Sequence, residues 1–139
     1  MEVAMADAPP KQAWENLADF DLNRPEEALA LVEHFQGEWG NGGLAQLFSN
    51  WNRADIVLIP EAMRIVGAPE AATVVEAAIA HFPADQDDWR DLGHQALMNP
   101  ASPLREPLWK LNEALDEHEP ALAQSVIAFE LKLSENDDL

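Results

Sequence analysis

The sequence predicts an all-α fold, a single compact domain of about seven or eight helices, and three observations carry that reading. Apolar residues recur at the i, i+3, i+4, i+7 spacing of one helix face in segment after segment. Proline and glycine fall between those segments, where helices stop and start. No segment keeps the strict alternation of a half-buried strand. At 139 residues the chain has the length of one domain and can bury a core without cofactor or disulfide.

Taken in order, the first helix follows Asn23-Arg24-Pro25 and carries the stripe Ala28, Leu31, Val32, Phe35, ending near Trp39. A short second stripe is Leu44, Leu47, Phe48, Trp51. A third, Ile56, Ile59, Met63, Val66, contains Pro60, which removes a backbone donor and predicts a kink or restart. Gly67 then stands where a left-handed residue ends a helix, and Pro69 where the next begins. Ala71, Val75, Ala78 and Phe82 follow, closed by Pro83. The segment Ala84 to Pro100 predicts a helix entered through an acidic first turn, which suits the positive end of the helix dipole. Leu104, Leu108, Leu111, Leu115 and, after Pro120, Leu122, Val126, Phe129, Leu133 predict two further helices. Residues 1–10 read as a flexible N-terminus, 11–134 as the helical domain and 135–139 as a flexible acidic tail.

Charge narrows the function classes. Twenty-six Asp and Glu oppose eight Lys and Arg, a net charge of −18. Nucleic acid and anionic lipid bind through cations that neutralise phosphate, so direct binding to either is not expected. The absence of cysteine excludes disulfides, thiolate metal sites and cysteine nucleophiles. The longest apolar runs, such as Ile56-Val57-Leu58-Ile59, fall far short of the ~20 residues of a membrane span. The N-terminal segment has neither the apolar core of a secretory signal nor the arginines of a transit peptide, and the expected location is the cytoplasm.

The charge is uneven. Residues 1–38 hold nine acids and two bases, residues 39–84 four and two, and residues 85–139 thirteen and four. An apolar middle is thus flanked by carboxylate-rich ends. The clusters are Glu26, Glu27 and Glu33; Asp85, Asp87, Asp88 and Asp91; and Glu113, Asp116, Glu117 and Glu119. A chain of this mass exposes roughly 7,000 Å², which spreads an even coat far more thinly than duplex DNA with its one charge per about 1.7 Å of axis. Only clustering on one face, or pairing of two such faces in a dimer, approaches a phosphate backbone.

Asn41-Gly42-Gly43 is the one glycine pair. Physically it ends one helix and turns tightly into the next. A phosphate cradle is the competing use, but neither Gly-x-x-x-x-Gly-Lys-Ser/Thr nor Gly-x-Gly-x-x-Gly is present, and no Lys or Arg lies within nine residues on either side.

The stretch Glu26 to Trp51 with Pro60 to Pro83 resembles the signature of a bacterial family of small acidic all-helical proteins typified by a DNA-mimic protein. Its carriers here are Asn41-Gly42-Gly43, Gln46 to Phe48, Asn50, and Ile65-Val66-Gly67-Ala68, where a valine stands inside the usual Ile-Gly step. The likeness covers residues 25 to 83. It implies an all-helical, often dimeric domain whose typical member is similar to duplex DNA in surface charge and occupies the DNA-binding face of a transcription factor. The matched segment is the near-neutral one, so the likeness identifies Asn41, Gly42, Gly43 and Gly67 as architectural and assigns no interaction residue.

Candidate chemistry is sparse. His34, His81, His94 and His118 are scattered; His34 and Glu38 share a helical face at i, i+4, but no His-Glu-x-x-His supplies a third ligand, and no metal site is expected. Asp87-Asp88 could do acid/base work only if buried. Ser49, Ser102, Ser125, Ser134 and Thr73 lie in no nucleophile motif. No catalytic residue and no cofactor is expected. Of Trp14, Trp39, Trp51, Trp89 and Trp109, most are expected in the core. Trp89, flanked by Asp88, Arg90 and Asp91, is the one whose exposure would suit an interface hot spot.

Two readings follow. In the first, a non-enzymatic cytoplasmic interaction protein, a DNA mimic, engages a basic DNA-binding protein through the three acidic clusters. In the second, a structural or solubility-adapted acidic helical domain has no charge-directed partner, which its three lysines and many acids would fit.

Overall fold

The computed structural model describes residues 20–137. Six helical segments run through them: α1 (Pro25–Asn50), α2 (Arg53–Ile56), α3 (Ile59–Ile65), α4 (Pro69–Ile79), α5 (Arg90–Met98) and α6 (Arg105–Asp137). With α2 a single turn, that leaves five longer helices among the described residues, fewer than the seven or eight expected.

Two mergers account for the difference. The helix expected to end near Trp39 continues through Gly40, Asn41 and Gly42, and is broken only at Gly43 (φ 77°, ψ −166°), so the first two stripes form α1 with one kink. The two C-terminal stripes form one 33-residue helix with Pro120 inside it. Pro120 is exposed, as is Asp116, the residue one turn back whose carbonyl loses its helical donor there. α6 also continues to Asp137, into the stretch expected as a tail. The expected flexible N-terminus and Trp14 lie outside the described residues.

Elsewhere punctuation falls as the residue chemistry requires. The third stripe splits into α2 and α3, with Pro60 in the first turn of α3, where its missing N–H costs nothing. Past Val66 the chain closes α3 with paired bonds, Gly67 N–H to Arg64 O (3.1 Å) and Ala68 N–H to Met63 O (2.8 Å). Gly67 supplies the positive φ, 95°, that this cap needs. Pro69 then opens α4.

The core joins all six segments. Leu31, Phe35, Leu44, Leu47 and Phe48 of α1 meet Ile56, Ile59, Met63 and Val75, and Leu108, Leu115, Leu122 and Val126 of α6 close the side. Phe48 and Phe82 stack at 4.1 Å with Trp89 at their edge. α5 lies directly on α1: a Cβ added at Gly93 would stand 2.5 Å from the backbone of Phe48 and Ser49. Among the described residues no helix is long and apolar enough to cross a membrane.

Candidate acidic interface and the glycine corner

The corner at Gly43 is held from α6. Asn112 Oδ1 accepts two hydrogen bonds, from Leu44 N–H (2.9 Å) and from the Trp39 indole N–H (3.2 Å), so one side chain spans both sides of the kink. A Cβ at residue 43 would lie 2.8 Å from the Asn112 amide nitrogen, in a backbone region hostile to L-residues; glycine there is a steric requirement. Gly42 is helical, and a Cβ on it would strike the Gln46 side chain. Glu38, buried on α1, accepts a hydrogen bond from Asn50 Nδ2 across the same bend. Its carboxylate is thereby committed to Asn50, while His34 stands exposed with its ring 6.3 Å from that of Phe20. The architectural reading of Asn41-Gly42-Gly43 thus gains a mechanism, with Gly43 as the corner itself.

The three acidic clusters differ in how far cations already neutralise them. Glu26 and half-buried Glu27 share Arg24, at 2.9 and 3.2 Å, and Glu27 also accepts the Asp21 N–H. Glu33 meets Glu130 of α6; a hydrogen bond shared between the two carboxyls, with some burial and mutual repulsion, lifts Glu33 to about 7. That pair therefore carries less than two full charges near neutrality. In the next cluster Arg90 grips Asp88 through Nε and Nη2 (3.0 and 2.9 Å) and holds its carboxyl down at about 2. Asp87 lies 4.0 Å from Arg53, whose guanidinium also covers the Trp89 ring at 5.1 Å. Asp85 and Asp91 are exposed beside them.

α6 is different. Glu113, Asp116 and Glu117 are exposed and Glu119 half-buried, and among the described residues no ion pair reaches any of the four. Glu113 and Asp116 border a cleft of about 380 Å³ whose other wall is the α1 corner, Trp39, Gly40, Gly42 and Gly43. The structure thus brings Glu113 and Asp116 of the third cluster, but not Glu117 or Glu119, to the glycine corner, and Glu33 to the far half of α6. The polar partners of the cluster at 85–91 are Arg53, Arg90 and its own backbone, not the acids of α6.

Trp89 is core, 1% exposed, its indole N–H bonded to Pro83 O at 2.8 Å. The exposed tryptophan is Trp109, at 65%, standing on α6 between Glu106 and Glu113 and forming part of the cleft.

Compared with known families, residues 20–133 match the family described as DMP19-like protein. The chain belongs to that family. The DMP19-like match extends the likeness beyond residues 25 to 83 and takes in both the Gly43 corner and nearly all of α6, the two elements that form the cleft. Comparison with curated proteins and with solved structures gave no match.

Three residues of this DMP19-like chain escaped the reading of its sequence. Asn112 lies i+4 from Leu108 and i−3 from Leu115, a polar side chain on a buried stripe, which requires an internal partner. Trp109 lies one position off that stripe. Gly93 and Ala96, two small residues at i, i+3, share a buried face of α5, a spacing that lets another backbone approach.

Proposed function

We propose that this chain is a non-enzymatic acidic interaction protein of the cytoplasm, a DNA mimic that occupies the DNA-binding surface of a basic DNA-binding protein. The observation that supports this best is the row of carboxylates on α6 without cationic partners, in a chain of the DMP19-like family. Averaged over 8087 Å² of surface, the net charge amounts to about one per 450 Å², against roughly one per 100 Å² on duplex DNA. A uniform coat would be a poor copy. Along α6, however, the acids from Glu113 to Glu119 follow one another about every 3 Å of helix axis, comparable to the roughly 3.4 Å between charges on a single DNA strand.

The mechanism is electrostatic competition: long-range attraction raises the association rate, paired charges set the register, and binding weakens steeply with salt. Nucleic acid and anionic membranes are repelled by the same charge. A homodimer belongs to this reading, with exposed Ile127 and Leu131 of α6 as the candidate contact; sedimentation of the native chain and of an Ile127→Ser, Leu131→Ser variant tests it. The experiment for function replaces Glu113, Asp116 and Glu117 by Lys and, separately, Asp87, Asp88 and Asp91 by Lys, and measures capture of DNA-binding proteins from a bacterial lysate. Loss of capture in both folded variants, the larger in the α6 variant because Asp87 and Asp88 are already paired, supports mimicry. Unchanged capture in both leaves the acids as a solubility coat.

A further inference from the structure

The cleft beside the glycine corner combines features that a solubility coat does not need. One wall is Trp39, whose indole is fixed on two sides, bonded to Asn112 and stacked on Phe35 at 6.4 Å and 14°. The opposite side carries Trp109, a large aromatic left 65% exposed. Glycine lines the space between: a Cβ at Gly40 would meet nothing within 4 Å. Glu113 and Asp116, one and two turns beyond Trp109 on the same face of α6, supply two exposed carboxylates at the rim.

We propose that this cleft is a subsite for an arginine side chain of the partner, stacked on Trp109 and paired with Glu113 and Asp116. The proposal deepens the reading above and rests on it for the identity of the partner, though not for the chemistry of the cleft. An anion is repelled by the rim. A wholly apolar side chain would strip water from the two carboxylates and return nothing. Lysine would satisfy the charge as a point, but its ammonium neither stacks flat on an indole nor offers a planar fork to a carboxylate; guanidinium does both. Because Trp39 and Asn112 are already locked, little ordering is required when the side chain enters. The cleft would convert a salt-sensitive encounter into a registered contact, and it gives the exposed tryptophan beside Glu113 and Asp116 a role.

The test titrates the full chain, at low salt, with the peptide acetyl-Gly-Arg-Gly-Arg-Gly-amide and with its citrulline and lysine counterparts. Binding is followed by calorimetry and by the indole N–H resonances of the tryptophans, assigned through Trp109→Phe and Trp39→Phe. The expected result is movement of the Trp109 and Trp39 signals with the arginine peptide, none with citrulline, and weaker binding with lysine. Trp109→Ala should weaken arginine binding about fivefold, and Glu113→Gln with Asp116→Asn about tenfold. Gly40→Leu, whose side chain enters open space, should block the cleft in a folded protein. Shifts confined to other resonances, equal binding of lysine, no binding of the arginine peptide, or unchanged affinity in folded Trp109→Ala and Gly40→Leu variants each overturn the assignment. The two readings fail separately. If these variants capture a DNA-binding protein as the native chain does while the α6 charge reversal does not, the cleft falls and the acidic surface stands. If the peptide binds in the cleft but duplex DNA displaces nothing from the protein, mimicry falls and the cleft stands.

Discussion

Replacing Gly93 by alanine puts a methyl carbon 2.5 Å from Phe48 C and Ser49 N and 2.8 Å from Phe48 O. All three are backbone atoms of α1, so no rotamer change relieves the clash and α5 must move about 1 Å away to reach ordinary contact. Such overpacking costs about 1–3 kcal/mol, and backbone against backbone belongs at the upper end. Alanine recovers about 1 kcal/mol of helix propensity, which leaves a net loss of about 2 kcal/mol, or roughly 7 °C in Tm for a chain of this size. Gly40 is the control: it too is helical, but its added methyl enters open space, so Gly40→Ala is expected to gain about 0.5–1 kcal/mol. Thermal unfolding followed by far-UV circular dichroism, with urea midpoints as a second measure, compares the two variants directly. A Gly93→Ala protein as stable as Gly40→Ala would refute the close approach of α5 to α1, and with it the placement of the core aromatics that α5 covers.

Three further outcomes are expected. Asn112→Ala removes the acceptor for Leu44 N–H and the Trp39 indole; it should cost about 2–3 kcal/mol and release the Trp39 emission, whereas Asn112→Asp, which keeps the acceptor, should lose less. Glu33 is held above its ordinary value by Glu130. A carboxyl with a raised folded-state value binds its proton more tightly in the native state, so stability should decline as pH rises from about 4.5 to about 7. Glu33→Gln should flatten that slope by no more than about 1 kcal/mol, since exposed groups are screened, and urea midpoints at pH 5 and 8 measure it. Asp88, held down by Arg90, titrates in the opposite sense: its contribution is present above the ordinary Asp range and lost only as pH falls toward 2, so Arg90→Ala should leave midpoints at pH 7 and pH 5 shifted equally.

Much of this was legible in residue spacing. The stripes at 28–35, 44–51 and 104–133 fell on buried faces because apolar periodicity reports burial whatever the neighbours are. Gly67 and Pro69 were legible because a left-handed cap and a helix start are local requirements. Boundaries were less so. Pro120 looked like a break between two leucine stripes, but its exposed position lets a long helix carry it. Asn41, Gly42 and Gly43 looked like a stop, but only one residue needed positive φ, and which of the two paired glycines it was depended on Asn112, some seventy residues away. The site was least legible where it depends on tertiary neighbours. Acid clusters can be counted in a sequence, but whether Arg24, Arg53 or Arg90 reaches them cannot, and that distinction singles out α6. Likewise Trp89 has charged neighbours in sequence and aromatic ones in space, whereas Trp109, between Leu108 and Lys110 in sequence, has open solvent before it.

In the proposed function the carboxylates of α6 stand in for phosphates. The most direct measurement immobilises the full chain, captures protein from a bacterial lysate at low salt, and elutes in salt steps with and without competing duplex DNA. The expected result is a DNA-binding protein that leaves at moderate salt, is displaced by duplex, and is not retained when Glu113, Asp116 and Glu117 are reversed to Lys. Retention of that protein by the reversed chain, or a captured protein indifferent to both duplex and salt, would contradict it.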